Sequence, residues 1–588
     1  MVIAHVQNYR HHKKIREDLG IKDFEDQCFS ILYFGSCPGD ISKDLIREKE
    51  KALKRKVKRL KVQLQQMAVS HESAGCQQAW KDCASLNKKT LQIRCLDLEK
   101  QVNPVIRDYE ALEQNLKEIA KVLQAKNQGD LMLFRKLKFI PTLVDICKRI
   151  LICPRQEFKH LGKAIELSIR IIAIFCSLRE NRNYMLQTNR MMPLVDLLNW
   201  CMNRPTQIFF GIGFLPQLFQ IIAMHIKHRT PYECIQCKEY LIEVLICSQL
   251  MHKIKSKFAV INYPMAMDTS QMMGQVPLFL LKSITFLEGL TSVISSDARY
   301  RPAYERNNKL GEHYLFVIEN TEMFGIINMI ATLLLTHSEQ FKTSCNSLES
   351  DQNATKIMPQ TFLSLSIGCI KVLNNIIRMD VKFVQQLLVK NEILLDHLFH
   401  LMNYLLVYTH ENYDKSEDSK ELLHETLLFI GYFCLLNEKT QQILQRGENT
   451  ILQKLCNLPF PYFSDKKLKE ILFPTLIMAS YKSERCVAIM DQEISFDPLI
   501  KFLQDNMKEE LPRIMEEEFD YQSISSLGER GGGGGRRGRS PSKSSTNSSG
   551  CSIQMESIGN GNCPYLPLFM RFPKSKWQDA IEFYQNSE

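Results

Sequence analysis

From Leu131 to about Asp505, apolar residues recur at helical spacing almost without interruption, and no run alternates with the two-residue period of a half-buried strand. A chain patterned this way can fold only as stacked helices. The segment Leu422–Pro474 shows the rule most clearly. Leu423, Leu427, Ile430 and Cys434 share one helical face, and Ile451, Leu455 and Leu458 share another. Arg446-Gly447-Glu448-Asn449 separates them, with Gly447 suited to a helix C-terminus. The connection is short enough to force an antiparallel pair, and neither helix could bury its apolar face without further helices on both sides.

The same unit recurs along the chain: a polar break, one or two apolar residues, then a Leu-rich helix. It begins at Phe139, Met191, Glu392 and Thr450. Breaks fall at Cys153-Pro154, Arg204-Pro205, Tyr263-Pro264 and Met358-Pro359, with long loops expected at 262–276, 297–313, 342–356 and 411–420. The expected fold is an all-α, irregular armadillo/HEAT-like α-solenoid with an N-terminal basic helical arm. Its expected divisions are 1–40, the remnant of a zinc finger plus a linker; 41–127, the basic and amphipathic helical arm; 128–506, the armadillo-like solenoid; 507–563, a disordered Gly/Arg/Ser-rich insertion; and 564–588, a C-terminal docking helix. The insertion opens on Glu509 and Glu510, passes through Gly531–Gly535 and ends in a Ser/Thr/Asn tract, a composition that cannot bury enough apolar surface to offset chain entropy.

The 19 cysteines are scattered through apolar helical runs and form no dense framework, so they read as buried thiols. Cys234-Ile235-Gln236-Cys237 opens an apolar helix and has no second pair at finger spacing, which favours core over metal. No apolar h-region follows Met1, so a signal peptide is not expected. The best membrane-span candidate, 208–226, is interrupted by Pro216, Gln217, Gln220 and His225 and reads as a buried helix.

Net charge is +10, and residues 1–70 carry +6 of it. The excess concentrates in one helix expected from about Ser42 to Met67. Lys49, Lys51, Lys54, Arg55, Lys56, Lys58, Arg59 and Lys61 are opposed only by Glu50, while Leu53, Val57, Leu60, Leu64 and Met67 make one apolar seam. Such a helix docks by its seam and offers its charge to phosphates, with counterion release driving binding. A partner coiled coil and a plain solvated face are the alternatives. No aromatics interleave with the charges, so base stacking is not expected.

His5 and His11 have the H-x5-H spacing that ends some zinc fingers, but no Cys pair precedes them. Two histidines leave tetrahedral zinc half-ligated, so zinc is expected only in a longer chain with the full finger, and no other cofactor is expected. Ser540-Pro541-Ser542-Lys543 fits a proline-directed phosphorylation site, where phosphate beside Arg536, Arg537 and Arg539 would weaken polyanion binding. No P-loop, G-x-S-x-G or H-E-x-x-H word occurs, and Gly211-Ile212-Gly213 follows no strand, so neither an enzyme nor a small-molecule substrate is expected.

Several words resemble a known family. They are LLHE at 422–425, GYF at 431–433, LQKLC-x-LPF-x-YFSD from Leu452 to Asp465, LFP at 472–474, and Tyr565-Leu566, Arg571-Phe572-Pro573, Trp577 and Ala580 in the tail. Together they resemble the C-terminal part of the S-phase cyclin A-associated protein in the endoplasmic reticulum, with this chain beginning inside that family's zinc finger. The resemblance is strong over 420–505 and 565–583 and a matter of pattern over 1–400. It implies a non-enzymatic, cytoplasmic scaffold, peripheral at the endoplasmic reticulum, with the nucleus left open. It also implies cyclin A and its kinase, a ribosome or other RNA, and a deadenylase complex as partners, in cell-cycle control and co-translational decay of tubulin mRNA. Arg94-Cys95-Leu96 is an R-x-L word but a weak one. The competing expectations are a peripheral endoplasmic-reticulum membrane tether and a general armadillo-type scaffold.

Overall fold

The computed structural model describes residues 43–73, most of 87–296, the pairs 314–315 and 334–335, 360–508 and 566–587. His5, His11, Ser540 and the side chain of Lys49 lie outside the described residues, as do the loops expected at 297–313 and 342–356. Every regular element among the described residues is helical, and no strand occurs among them. The all-α, solenoid-like architecture expected from the apolar spacing is the one found.

The chain divides into two compact units, Met1–Leu405 and Leu406–Glu588. In the first, the helices are α1 Lys43–Ser73, α2 Lys88–Val102, α3 Tyr109–Gln124, α4 Gln128–Lys136, α5 Phe139–Ile152, α6 Phe158–Phe175, α7 Arg179–Gln187, α8 Met191–Met202, α9 Leu215–Lys227, α10 Tyr232–Cys247, α11 Leu250–Phe258, α12 Gln275–Ser296, α13 Gln360–Met379 and α14 Val381–Val389. A fifteenth helix, α15 Glu392–Asn412, starts in this unit and ends in the second. Short polar side chains set their starts: Asp108 accepts from the amides of Glu110 and Ala111, Asn127 from Gly129 and Asp130, and Asp380 from Phe383.

Packing passes from helix to helix along the chain: α2 on α3, α3 on α6, α6 and α8 on α9, α9 on α12, α12 on α13. The buried faces are continuous. Leu112, Leu116, Ile119 and Leu123 of α3 meet a layer to which α6 contributes Ile165, Ile169 and Ile172, all excluded from solvent. Phe219 stands 5.5 Å from Phe286 and 6.0 Å from Phe279, tying α9 to α12. Among the described residues, two helices are apolar and long enough to cross a membrane, within Val276–Ser295 and Gln360–Met379, but these spans are 61% and 78% buried inside the unit. They are core helices packed on each other. Among the described residues of the 208–226 candidate, those from Leu215 on belong to the 13-residue α9. The eleven described cysteines are all buried and unpaired with one another, as their apolar settings suggested.

In the second unit follow α16 Glu417–Cys434, α17 Glu438–Ile443, α18 Ile451–Cys456, α19 Pro461–Ser464, α20 Lys466–Ser480, α21 Glu484–Asp491, α22 over 497–508, α23 Leu568–Arg571 and α24 Trp577–Gln585. The expected helix pair over 422–474 is in fact five helices. Leu436 takes φ +53 and Asn437 caps α17, ending the first run at Cys434; the periodicity hides this because Leu435 is itself buried. Pro459 and Pro461 bracket a turn after α18, and Asp465 caps α20. Gly447 takes φ +88, the conformation its place between segments demanded. The long loop expected at 411–420 shrinks to 413–416, because the Ser416 hydroxyl caps α16 and Glu417 and Asp418 fill its first turn. All four recurring apolar words start helices: α5, α8, α15 and α18.

The tail segment packs into this unit at a defect in α20. Pro474 lies inside that helix and has no amide to offer the Glu470 carbonyl one turn back. Arg571, fully buried, supplies donors there: Nη1 reaches the Ile471 carbonyl at 2.8 Å and the Glu470 carbonyl at 3.4 Å, and Nη2 reaches Thr475 Oγ1 at 2.6 Å. Gly431 of α16 makes room, since a Cβ there would strike Met478 Cε and stand 3.1 Å from Arg571 Nη2. Tyr481 donates to Asp579 at 2.5 Å, and Tyr584 and Ser480 hydroxyls meet at 2.9 Å.

Candidate polyanion-binding face

Helix α1 forms because its 31 residues contain no Gly or Pro and are rich in Lys, Arg, Leu and Gln, all good helix formers. Its seam is buried where it was expected: Leu60 and Leu64 fully, Leu53, Val57 and Met67 in part, with Ala68 added. That seam packs on α10 and α7, so the basic helix is fixed to the first unit. Two ion pairs flank it. Lys56 Nζ lies 2.5 Å from Glu243 Oε1 on α10, and Lys61 Nζ lies 2.5 Å from Asp196 Oδ1 on α8. Asn189, in the left-handed conformation at φ +52, donates to Gln65.

The structure therefore sorts seven of the eight basic residues, the side chain of Lys49 lying outside the described residues. Lys56 and Lys61 hold the helix down. Lys51, Arg55, Lys58 and Arg59 are exposed, and among the described residues no ion pair occupies them. Lys54 is exposed too and faces further positive charge. Lys253 on α11 has its pKa lowered first by burial and then by Lys54, while its Nζ donates to Asn199 Oδ1 at 3.1 Å. His252 beside it is pushed down to about 4 by burial and by Lys255 and Lys253. Lys253, Lys255 and Lys257 of α11 thus add positive charge beside α1, while His252 stays neutral. Sequence reading missed Lys253; the only available signal was three lysines alternating over five positions in a short helix.

A polar cavity of about 300 Å³ opens where α1 meets the body, lined by Lys61, Gln65, Lys148, Arg190 and Asp196 among others. Farther along α1, Val62 and Val69 stand 51% and 56% exposed, unusual for apolar residues on an otherwise docked helix.

The other candidates are structural. Cys234 and Cys237 are buried, and burial raises the Cys237 thiol pKa. Among the described residues no group of three or more His, Cys, Asp or Glu is placed to hold a metal. His424 is buried and shares a 2.8 Å hydrogen bond with the Tyr462 hydroxyl. Arg94-Cys95-Leu96 lies on helix α2 with Cys95 buried between Arg94 and an exposed Leu96.

No family model matches the chain. It is 23% identical over 650 residues to the human S phase cyclin A-associated protein in the endoplasmic reticulum, an alignment that covers 100% of this chain and 42% of that protein. The chain is a distant relative of that protein and spans less than half of its length.

Proposed function

We propose that this chain is a non-enzymatic adaptor that grips a ribosome or other RNA through the basic face of α1 and recruits protein partners on its helical stack. One observation carries this reading. Lys51, Arg55, Lys58 and Arg59 are held in solvent on a helix that the body fixes in place, while carboxylates of other helices pair with Lys56 and Lys61. Cations pre-positioned on a rigid support bind a phosphate backbone with little ordering cost and release its counterions. The name of the relative supports association with cyclin A and with the endoplasmic reticulum. The resemblance extends this to recruitment of a deadenylase complex in tubulin mRNA decay. Stacked helices suit that task, because they present long surfaces to protein partners.

The test is co-sedimentation with ribosomes across a salt series, comparing the intact chain with K54E/R55E/K58E/R59E. The reading predicts salt-sensitive pelleting that the variant loses. Undiminished pelleting of the variant contradicts it, and binding that requires anionic vesicles and ignores RNA would make the chain a membrane tether.

A further inference from the structure

Helix α1 contains no Phe, Tyr or Trp, but the fold brings an aromatic ring beside it. On α8, Asp196 and Trp200 are four residues apart, so they share a face about 6 Å apart along the helix. Asp196 is the carboxylate that holds Lys61 of α1, so Trp200 stands one turn beyond an anchor of the basic helix. Asn199, next to Trp200, accepts from Lys253 of α11, and Lys253 is close enough to Lys54 of α1 to feel its charge. Two separate contacts thus place Trp200 at the edge of the basic face. Arg204 follows one turn later, just past the end of α8, and its Cζ sits 3.8 Å from the centre of the Trp200 ring. The main chain of Arg204 is held without its side chain. Its amide donates to the Cys201 carbonyl at 3.0 Å, and its own carbonyl accepts from Lys257 Nζ of α11. The guanidinium is therefore free of any capping duty, and among the described residues it meets no carboxylate and no hydrogen-bond acceptor. Both side chains are half-buried, neither closed into the core. A planar cation lying on an indole extends the stack and offers a second plane of its own.

We propose that Trp200 and Arg204 form a stacking platform for one unpaired base of an RNA strand whose phosphates the exposed cations of α1 hold. The inference rests on the RNA reading of the basic face. Unpaired bases stack on aromatic rings and on guanidinium planes, and they do so with little regard to sequence. A lipid headgroup has no flat face to match this stack, and a bare phosphate would leave the indole unused. Stacking releases no counterion, so the platform adds affinity without adding to the salt dependence that α1 supplies.

The test follows tryptophan fluorescence and affinity across a salt series, with a uridine homopolymer oligonucleotide and an abasic ribose-phosphate oligomer of equal length. The uridine oligomer should quench the fluorescence of the intact chain, and the abasic one should bind more weakly and leave it unquenched. Trp200→Leu, which keeps apolar bulk but has no ring, should lose that quenching and weaken uridine binding about five- to a hundredfold at an unchanged log–log salt slope. Trp200→Phe keeps a ring and should restore most of the affinity. Arg204→Lys, which keeps the charge and loses the plane, should weaken binding at an unchanged slope. Circular dichroism checks each fold, and the comparison of the two oligomers on the intact chain stands whatever Trp200→Leu does to folding. Equal binding of the abasic and uridine oligomers without quenching by either overturns the platform. So does undiminished binding by Trp200→Leu while K54E/R55E/K58E/R59E loses it, a result that leaves the basic face standing. Unchanged binding in every variant removes both readings.

Discussion

His424 shows how a single buried group ties stability to pH. Burial pushes its pKa from the ordinary 6.5 to about 4, with Glu417 opposing weakly. Above about pH 6.5 it is neutral in the folded and unfolded chain alike, and stability is undiminished. As pH falls from 6.5 towards 4, the unfolded chain takes up a proton that the folded chain refuses, so stability declines by on the order of 3 kcal/mol in total. Below that range the penalty is constant. Thermal unfolding of the intact chain and His424→Gln at pH 7 and pH 5 isolates the effect. The difference between the two should shrink or reverse at pH 5, and an unchanged difference contradicts the assignment. In the sequence, nothing beside His424 marks its role. Its true partner, the hydroxyl of Tyr462, lies 38 residues away, and no local spacing reports it.

At the scale of elements, the seam of α1 was legible because i, i+4 and i+7 spacing is a local property. The division of its cations was not, because Glu243 and Asp196 lie on other helices, the latter 135 residues beyond Lys61. The C-terminal element makes the same point. The words GYF, LFP and RFP were visible as separate fragments, yet Gly431, Pro474 and Arg571 form one joint in which an orphan carbonyl, its donor and the space for that donor meet. The tail is therefore an integral part of the second unit. Arg571→Met should leave the Ile471 and Glu470 carbonyls without this donor and destabilise the unit by about 1–3 kcal/mol. Limited proteolysis should then release α23 and α24 before the rest of the unit is cut. A tail as resistant as in the intact chain would show that Arg571 does not hold the joint.

On the scale of the whole molecule, periodicity gave the all-α, solenoid-like stack, because helical spacing survives wherever apolar faces must be covered. It gave helix ends poorly in the second unit, where Leu435–Leu436 continues an apolar run through a backbone reversal. Many of the words that carry the resemblance sit at packing joints of this unit. They speak for a shared fold, and the partners follow only as a proposal. The candidate face lies on α1 in the first unit, where resemblance was a matter of pattern and the charge itself had to be argued.

The central claim is that a folded helical stack binds a polyanion through cations fixed on α1. The most direct measurement is the affinity of the intact chain for ribosomes as a function of salt. Four exposed cations predict a straight log–log fall with a slope of about −3 to −4. An affinity that does not change with salt would contradict the claim.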